Sequence, residues 1–325
     1  MPPMNDPPLS PDPGRRVKLF NDAILGAVEL HTPALSLLDT PHAQRLRELK
    51  QLGASALLFP SASHCRLEHS IGVAATGAAW VDALLSYPRR HGLRASDGDG
   101  SGGGGALFDT RREAEEARDL VQLAGLAHDL GHGPYSHLFD SKVLPRGLLS
   151  GHSPDTVPAM RHEWRSVMML EDAVEQCGLD IERGVVRAAA ELVDVRCRGS
   201  GGGGGGGNGA VIPPWMMGLV ANDDGAPDAD RLDYLARDSR YLNMPCSVDA
   251  RRIMATSKVC GGGRVVGWPV KEAFALMDVY HTRYKLHKMA YRYVVVSGVS
   301  WPPFFVCIQC CAGASVVFRR PPVLS

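Results

Sequence analysis

The 325-residue chain lacks an excess of charge of either sign, because 35 lysines and arginines balance 35 aspartates and glutamates. A chain without net charge has no global field that attracts nucleic acid or an anionic membrane, so any phosphate site must come from local basic clusters. Aromatic residues are few, at 6%, but hydrophobic residues reach 45% and charged residues 22%. This composition excludes a wholly disordered or collagen-like chain and is sufficient for a buried core.

Common nucleotide-binding motifs and targeting signals are also missing. No GxGxxG motif joins a strand to a helix, no GxxxxGK[ST] motif occurs, and strands do not alternate with helices, so Rossmann and P-loop folds are disfavoured. The amino terminus has no apolar segment typical of a signal peptide, which predicts a soluble nuclear or cytosolic protein. The eight cysteines are scattered and are expected to be free thiols, and the lone CxxC of Cys307 and Cys310 is not expected to bind metal.

Low-complexity segments predict the domain boundaries. Residues 1–16 contain six prolines and are predicted to form a disordered leader. Two glycine-rich segments, about 96–105 and 198–209, are predicted to be flexible surface loops, because glycine runs do not pack. One domain is therefore expected over residues 17–291, with both loops inserted in it.

The hydrophobic pattern between these segments is mainly helical. Thr40 is expected to cap the first helix, with Pro41 at its first position. The predicted fold class is mainly α. Helices are predicted over residues 40–52, 69–85, 111–129, 163–177, 231–241 and 270–291.

The final segment, residues 292–325, differs in kind from the rest. Tyr293–Phe318 carries no charged residue and is long enough for a membrane span. Two adjacent prolines and the loss of helical period argue against a span, so no membrane partner is expected. Because helical composition stops within a residue or two of Tyr291, our hypothesis is that the tail is translated intron or the product of aberrant splicing.

The densest cluster of chemically active side chains follows an apolar helix. Three histidines and an aspartate, His128, Asp129, His132 and His137, fall within ten residues. Adjacent helical residues project about 100° apart, so His128 and Asp129 can both reach one cation in a cleft between helices. The other ligands must come from elsewhere in the chain.

His69 and Asp230 are the candidates for the remaining ligands of that cation. Two imidazoles and two carboxylates leave positions open for water and a phosphate oxygen, as a metal hydrolase requires. Mixed nitrogen and oxygen ligation suits iron, manganese, zinc or nickel better than calcium.

A series of segments shares its order with a known family. The segments are Lys18–Asp22, Asp39–Arg47, Lys50–Gly53, Phe59–Pro60, Ala62–His64, Arg66–Ser70, Leu126–Asp140, His162–Glu163, Ser166–Met169, Asp233–Asp238, His281–Arg283, Leu286–His287 and Ala290–Tyr291. On these residues the chain resembles the HD-domain phosphohydrolases, and within them the eukaryotic sterile-alpha-motif and HD-domain dNTP triphosphohydrolases and their bacterial dGTPase relatives. The resemblance covers residues 17–291, without a sterile-alpha-motif domain or the carboxy-terminal lobe of the family.

The resemblance implies a metal site and a catalytic pocket. It assigns one divalent transition metal, iron, manganese or zinc, to His69, His128, Asp129 and Asp230. It assigns the pocket to His132, His137, Asp140 and His162. His137 is the expected general acid for the leaving 5′-oxygen, and Asp140 is expected to hold its tautomer and raise its pKa.

The resemblance also implies a binding site for deoxynucleoside triphosphates. The expected triphosphate contacts are Arg66, Arg231 and Arg283. The expected deoxyribose pocket, in which tyrosines exclude a 2′-hydroxyl, is formed by Gln51, Leu52, Tyr234, Asp238 and Tyr291. The implied reaction releases a deoxynucleoside and inorganic triphosphate, with magnesium on the nucleotide phosphates.

A regulatory site is the last implication of the resemblance. The expected GTP or dGTP activator site is formed by Lys18, Asn21, Asp39, Gln44 and Arg47, and part of an adjoining dNTP site by Arg252 and Lys271. Pro269 stands where a phosphate-binding arginine is expected. The missing lobe weakens the expectation of a homo-oligomer, whether dimer or tetramer.

Two other functions are weighed against dNTP hydrolysis. An HD phosphohydrolase for another nucleotide phosphate ester is disfavoured, because Tyr234 and Tyr291 exclude a 2′-hydroxyl. A non-catalytic protein that binds nucleotides or single-stranded nucleic acid is expected to have lost metal ligands, yet all four positions are filled. The leading prediction is a metal-dependent dNTP triphosphohydrolase.

Overall fold

The computed structural model describes residues 15–90, 108, 110–144, 161–194, 196, 212–222 and 224–291 of the chain. Both glycine-rich loops and the tail with its CxxC pair lie outside these residues, as does the predicted leader except for Arg15 and Arg16. Arg15 forms ion pairs with Glu115 and Asp119 at 2.8 and 3.0 Å. The described fold therefore begins just before the predicted boundary at residue 17.

Helices form most of the described structure, which confirms the mainly α fold class. The α-helices are α1 (Ala34–Leu38), α2 (Pro41–Gln44), α3 (Arg66–Arg90), α4 (Arg111–Ala127), α5 (His162–Gln176), α6 (Arg183–Val193), α7 (Ala229–Tyr241), α8 (Ala250–Thr256) and α9 (Ala273–Leu286). Short 3-10 segments lie at Arg45–Arg47, Gly53–Leu57, Pro214–Gly218 and Val270–Glu272, and π-helical turns at Phe139–Val143 and His287–Tyr291. Over the described part of the chain, each helix is too short or too polar to cross a membrane.

The helix predicted over residues 40–52 is shorter in the structure. Thr40 caps it as predicted, since its Oγ1 accepts from the N–H of Ala43 at 3.3 Å, and Pro41 occupies the first turn. The α-helix ends at Gln44, where the 3-10 turn Arg45–Arg47 begins, and the chain after this turn pairs with another segment. The N–H of Gln51 donates to the carbonyl of His64 at 3.0 Å, which draws the chain into an extended path.

Two β-hairpins were not predicted. β1 (Val17–Asp22) pairs antiparallel with β2 (Gly26–His31), and β3 (Lys258–Cys260) pairs antiparallel with β4 (Val265–Gly267). Only β2 alternates buried and exposed side chains in part, whereas β1 is mostly exposed. Strands this short and this exposed carry too little hydrophobic period to be recognised in the sequence.

The centre of the fold is the close packing of α3 against α4. Gly125 makes this approach possible, because a methyl group there would lie 2.8 Å from the Cα of Ala74 and 2.9 Å from its N. Leu123 and Leu126 on α4 and Trp80 on α3 are fully buried at this contact and around it. The packing brings the carboxyl end of α4 close to the amino-terminal turn of α3.

We expect substitution of Gly125 by alanine to destabilise the fold. The gain in helix propensity is about 1 kcal/mol, but overpacking against backbone atoms, which cannot rotate away, costs about 1–3 kcal/mol. Urea unfolding should show a lower free energy of unfolding for G125A. The control E116A, on the exposed face of the same helix, should stay within about 0.5 kcal/mol of the unaltered chain, and equal stability of all three proteins would contradict the packing argument.

Candidate active site

Three helix ends bring the predicted metal ligands together. His69 lies in the first turn of α3, His128 caps the carboxyl end of α4, and Asp230 lies in the first turn of α7. The first turn of α7 is fixed by Asp228, whose side chain accepts from the N–H of Arg231 at 2.7 Å. The cluster is thus built on rigid helix ends.

The ligand atoms of His69, His128 and Asp230 form a compact group, all within 4.8 Å of one another. The Nε2 atom of His69 is 3.0 Å from Oδ1 of Asp230, and Nε2 of His128 is 3.7 Å from the same oxygen. Ligand atoms about 2 Å from one metal ion lie roughly 3 to 4 Å from each other. The spacing therefore fits a bound divalent metal.

The outer nitrogens of both imidazoles are held by other groups. Nδ1 of His128 donates to the carbonyl of Gly125 at 2.7 Å, and Nδ1 of His69 donates to Oδ2 of Asp233 at 2.8 Å. In the neutral imidazole each Nε2 therefore carries the lone pair and faces the cluster, the arrangement usual for metal-binding histidines. Nε2 of His128 is buried and has no hydrogen-bond partner among the described residues, a defect that a metal ion would remove.

Asp129, the fourth predicted ligand, lies beside this group and is shared with other partners. Its Oδ2 accepts from Nη1 of Arg66 and is 3.7 Å from Nε2 of His69. Its Oδ1 is 3.4 Å from Nε2 of His128 and 3.3 Å from Nε2 of His132. Burial alone would raise the pKa of this carboxyl, but Arg66 and the histidines lower it well below its usual value. The carboxylate is therefore ionised and within reach of the same cation.

The predicted catalytic residues form a second group next to the first. Ligand-type atoms of His132, His137, Asp140 and His162 lie within 4.8 Å of one another. The ring of His132 stacks on that of His162 with centroids 4.0 Å apart, and the ring of His137 meets both edge-on at 5.0 and 5.5 Å. His132 is buried, whereas His137 is exposed to the cleft.

The role predicted for Asp140 differs from what the structure contains. Its carboxylate lies 3.3 Å from Nδ1 of His162 and accepts from Nη2 of Arg165. Burial alone would raise the pKa of Asp140, but hydrogen bonds from these two partners lower it to about 2. Burial and the charge of Arg66 lower the pKa of His137, and the carboxylate of Asp140 acts in the predicted, raising direction without reversing this. Asp140 lies in the π-helical turn beside α5, and α5 supplies both of its partners.

The predicted sugar-pocket residues meet between α7 and α9. Tyr291 donates from its hydroxyl to Oδ2 of Asp238, and Oδ1 of Asp238 is 2.7 Å from Nε2 of His64. Arg283 donates from Nε to the hydroxyl of Tyr234 at 3.2 Å. Burial raises the pKa of Tyr291 well above its usual value, so this phenol stays protonated.

Gln51 and Leu52 reach the site through the segment that precedes α3. The carbonyl of Gln51 accepts from the hydroxyl of Ser136 at 3.3 Å, and that hydroxyl accepts from Nε of Arg66 at 3.1 Å. Leu52 follows in the chain and is half-buried. Arg66, a predicted triphosphate contact, therefore touches the metal group through Asp129 and the sugar-pocket residue Gln51 through Ser136.

Arg231 and the predicted activator residues are placed differently. The guanidinium of Arg231 donates to the carbonyl of Gly225 at 3.0 Å, so it faces the preceding loop. Arg47 donates from Nε to Oε1 of Gln44 at 2.7 Å, which joins two activator residues. Arg252 forms an ion pair with Glu272 at 2.9 Å. The other predicted activator residues, Lys18, Asn21, Asp39 and Lys271, are exposed.

Three residues around the site received no role from the sequence. Asp233 holds His69, Arg237 holds Asp233, and His64 holds Asp238. All three lie within segments that carry the family resemblance, and Asp233 is one helical turn after Asp230. That spacing could have indicated a second carboxylate on the same face of α7.

Comparisons with known proteins agree with this geometry. The HD domain family matches residues 66–237, more than half of the chain. Proteins named deoxynucleoside triphosphate triphosphohydrolase SAMHD1 are 34% identical in Danio rerio and 31% identical in Homo sapiens, over 86% of this chain and 43% and 42% of their own length. The Dictyostelium discoideum homolog is 32% identical over 87% of this chain and 48% of its own. The chain thus spans less than half the length of these relatives.

Loss of one imidazole from the three-ligand group should weaken metal binding. Loss of a residue that only supports a metal ligand typically weakens metal affinity by roughly 10- to 100-fold. We expect H128Q, which removes a ligand itself, to raise the Kd for manganese by at least this factor. The control H42Q makes the same change at a half-buried histidine outside the site, 2.7 Å from Asp172, and should bind manganese like the unaltered chain. Titration calorimetry and metal analysis would check this, and equal affinities for both variants would place the metal elsewhere.

Proposed function

The chain belongs to the HD domain family, and from this membership we propose that it is a metal-dependent triphosphohydrolase of deoxynucleoside triphosphates. The observation that carries the proposal is the contact between two groups in one cleft. The group of His69, His128 and Asp230 meets the histidine group of His132 through the shared carboxylate of Asp129. A phosphate ester held by the first group would present its leaving oxygen to the second.

The metal site supplies the electrophilic part of this chemistry. A divalent transition metal bound to His69, His128, Asp129 and Asp230 would polarise a phosphoryl oxygen and lower the pKa of a bound water. The protein residues hold both imidazoles in the tautomer that exposes Nε2. They also keep a buried guanidinium, that of Arg66, beside the place where phosphate charge develops.

His137 is the proposed proton donor to the leaving 5′-oxygen. Its ring is exposed to the cleft and contacts His132 and His162, so a substrate can approach it. The pKa of His137 is lowered in the free chain by burial and by Arg66. A bound triphosphate would neutralise that cationic field and raise the pKa, which makes the imidazolium available when substrate is present.

Selection of the deoxyribose is assigned to Tyr234, Asp238 and Tyr291. Asp238 is held on both oxygens, by His64 and by the hydroxyl of Tyr291, so its carboxylate has a fixed direction. Rigid aromatic side chains in contact with the sugar exclude an additional 2′-hydroxyl by size. The proposed substrates are therefore dGTP and other dNTPs, with magnesium on their phosphates.

The proposal extends to activation by GTP or dGTP. Asp39 presents an exposed carboxylate close in sequence to the joined pair of Gln44 and Arg47, a combination suited to a guanine edge and a phosphate. Lys18 and Asn21 on the β1–β2 hairpin complete the proposed site. Activation would accompany formation of a homo-oligomer, either a dimer or a tetramer.

Incubation of the purified chain with dGTP and manganese, with and without GTP, tests the reaction. We expect deoxyguanosine and intact triphosphate, and a decrease in kcat of roughly 10²- to 10⁴-fold for H137N, because general acid catalysis has this magnitude. H42Q should retain full activity. Release of single phosphates or equal turnover of GTP would favour another phosphate ester as substrate, and no turnover by a folded, metal-loaded chain would indicate a binding protein.

A smaller side chain at Tyr234 should weaken discrimination between sugars. We expect Y234A to raise kcat/KM for GTP relative to dGTP by roughly tenfold or more, the usual effect of changing pocket volume by a few carbon atoms. Y284A removes an exposed tyrosine of α9 and serves as the matched control. Competition assays with both nucleotides would measure the ratio, and an unchanged ratio in Y234A would rule out steric exclusion by this residue.

A further inference from the structure

A continuous chain of buried polar contacts runs from the metal-binding histidine of α3 to the β1–β2 hairpin. Nδ1 of His69 donates to Oδ2 of Asp233 at 2.8 Å. Arg237 donates to the two oxygens of the same carboxylate at 2.8 and 2.9 Å, and its Nη2 also donates to Oδ2 of Asp22 at 2.9 Å. We call these four residues, His69, Asp233, Arg237 and Asp22, the relay.

The relay is secluded from solvent along its whole length. The side chains of Asp233 and Arg237 are fully buried, and those of His69 and Asp22 are 1% and 6% exposed. A buried guanidinium requires compensating carboxylates, and here the compensation comes from two different elements, α7 and β1. Movement of either carboxylate would leave a charge without its partner, so the geometry of one end constrains the other.

Asp22 connects the relay to the turn of the hairpin. Its Oδ1 accepts from the N–H groups of Ile24 and Leu25, both at 2.8 Å, while Oδ2 accepts from Arg237. One carboxylate therefore closes the β1–β2 turn and holds the relay arginine at the same time. The position of the hairpin and the position of Arg237 are joined through two oxygens of one side chain.

Gly72 leaves the space in which the relay lies. It is one helical turn after His69 on α3, and a methyl group there would lie 2.0 Å from Oδ1 of Asp233 and 2.4 Å from Nη2 of Arg237. No other residue type fits while the ion pair keeps its place. The absence of a side chain at position 72 is thus an independent sign that α3 is shaped around this ion pair.

We propose that Asp22, Arg237 and Asp233 are positioning residues that set the orientation of His69 and thereby the affinity of the metal site, with the β1–β2 hairpin as the outer anchor. The inference rests on the proposed function, because it takes His69 as a metal ligand. Partners of ligating histidines usually change metal affinity when they are altered. The relay extends this influence from α7 to a hairpin formed near the amino terminus.

The coupling operates in both directions. If the hairpin contact tightens metal binding, metal binding must stabilise the hairpin contact by the same factor, because the two equilibria are linked. Metal loading should therefore slow hydrogen exchange of the amides of β1 and β2. The amides of β3 and β4 lie outside the relay, so their hydrogen exchange should not change on metal binding and serves as the internal reference.

Manganese affinity of the full chain tests the relay without reference to catalysis. We expect D233N to raise the Kd for manganese by roughly 10- to 100-fold. D22N and G72A should raise it by roughly 3- to 10-fold, since Asp22 lies two contacts beyond Asp233 and the methyl group of G72A displaces Asp233 without removing its charge. The amide introduced by D22N keeps an oxygen for the turn but removes the charged acceptor for Arg237. The exchange slowing of the β1–β2 amides should be lost in D22N.

Two matched controls separate positioning from folding. D82N makes the same carboxylate-to-amide change at an ion pair with Arg118, 3.3 Å away and on the far part of α3. G77A adds a methyl group to α3 only 2.6 Å from a methyl of Val121, so it disturbs packing without touching the relay. G77A should lower the melting temperature and D82N should change it little. Both variants should keep the manganese Kd within about twofold of that of the unaltered chain.

The outcomes are distinguishable. Equal manganese affinity for D22N and D82N, or for G72A and G77A, would overturn the proposed positioning role of the relay. It would leave the metal site and the proposed function in place. An unaltered chain that binds no manganese would overturn both the relay and the proposed function. If metal binding still slows hydrogen exchange of the β1–β2 amides in D22N, other contacts must link the metal to the hairpin. That result would also overturn the proposed role of the relay.

Discussion

The structure depends on a concentration of carboxylates around two imidazoles at the centre of the fold. Asp129 and Asp233 are buried there, and Asp230 is partly buried beside them. Negative groups removed from water require positive charge nearby, since an uncompensated buried ion costs several kcal/mol or more. Arg66 compensates Asp129 and Arg237 compensates Asp233. The remaining demand, that of Asp230, falls on His69 and His128, whose pKa values the carboxylates raise against the effect of burial, or on a cation bound between their two Nε2 atoms. That demand is the physical reason why the site suits a divalent cation.

This electrostatic arrangement depends on two close helix contacts. Gly125 lets α4 approach α3, which brings His128 at the carboxyl end of α4 close to His69 in the first turn of α3. Gly72 leaves room on α3 for Asp233 and Arg237. In one case a missing side chain allows two helices to meet at the metal ligands, and in the other it leaves room for the ion pair that orients His69. Packing and chemistry are therefore not separable on α3, because the residues that allow close approach also determine where the ligands lie.

The sequence was sufficient for some of these features and insufficient for others. The helices that carry His69 and His128, and the helix that begins next to Asp230, could be predicted from their hydrophobic pattern, whereas the convergence of their ends was implied by the family resemblance. The partner of Asp140 could not, because the π-helical turn at Phe139–Val143 places this carboxylate against α5, and no pattern indicates that turn. Nor could the direction of Arg231, which depends on backbone carbonyls of the loop before α7. The β1–β2 hairpin was missed because its outer strand buries almost nothing.

Because His128 and Asp129 are adjacent in the chain, the metal group and the histidine group share one carboxylate. His128 directs its Nε2 only toward the metal group, whereas Asp129 reaches His69, His132 and Arg66 as well. One carboxylate therefore joins the metal group, the histidine group and the buried guanidinium. If Asp129 were one helical position away, its side chain would project about 100° from this junction, and the two groups would lie in the same cleft without a shared ion. The dipeptide thus makes one site out of two clusters, because it ties the electrophilic end of the cleft to its proton-transferring end.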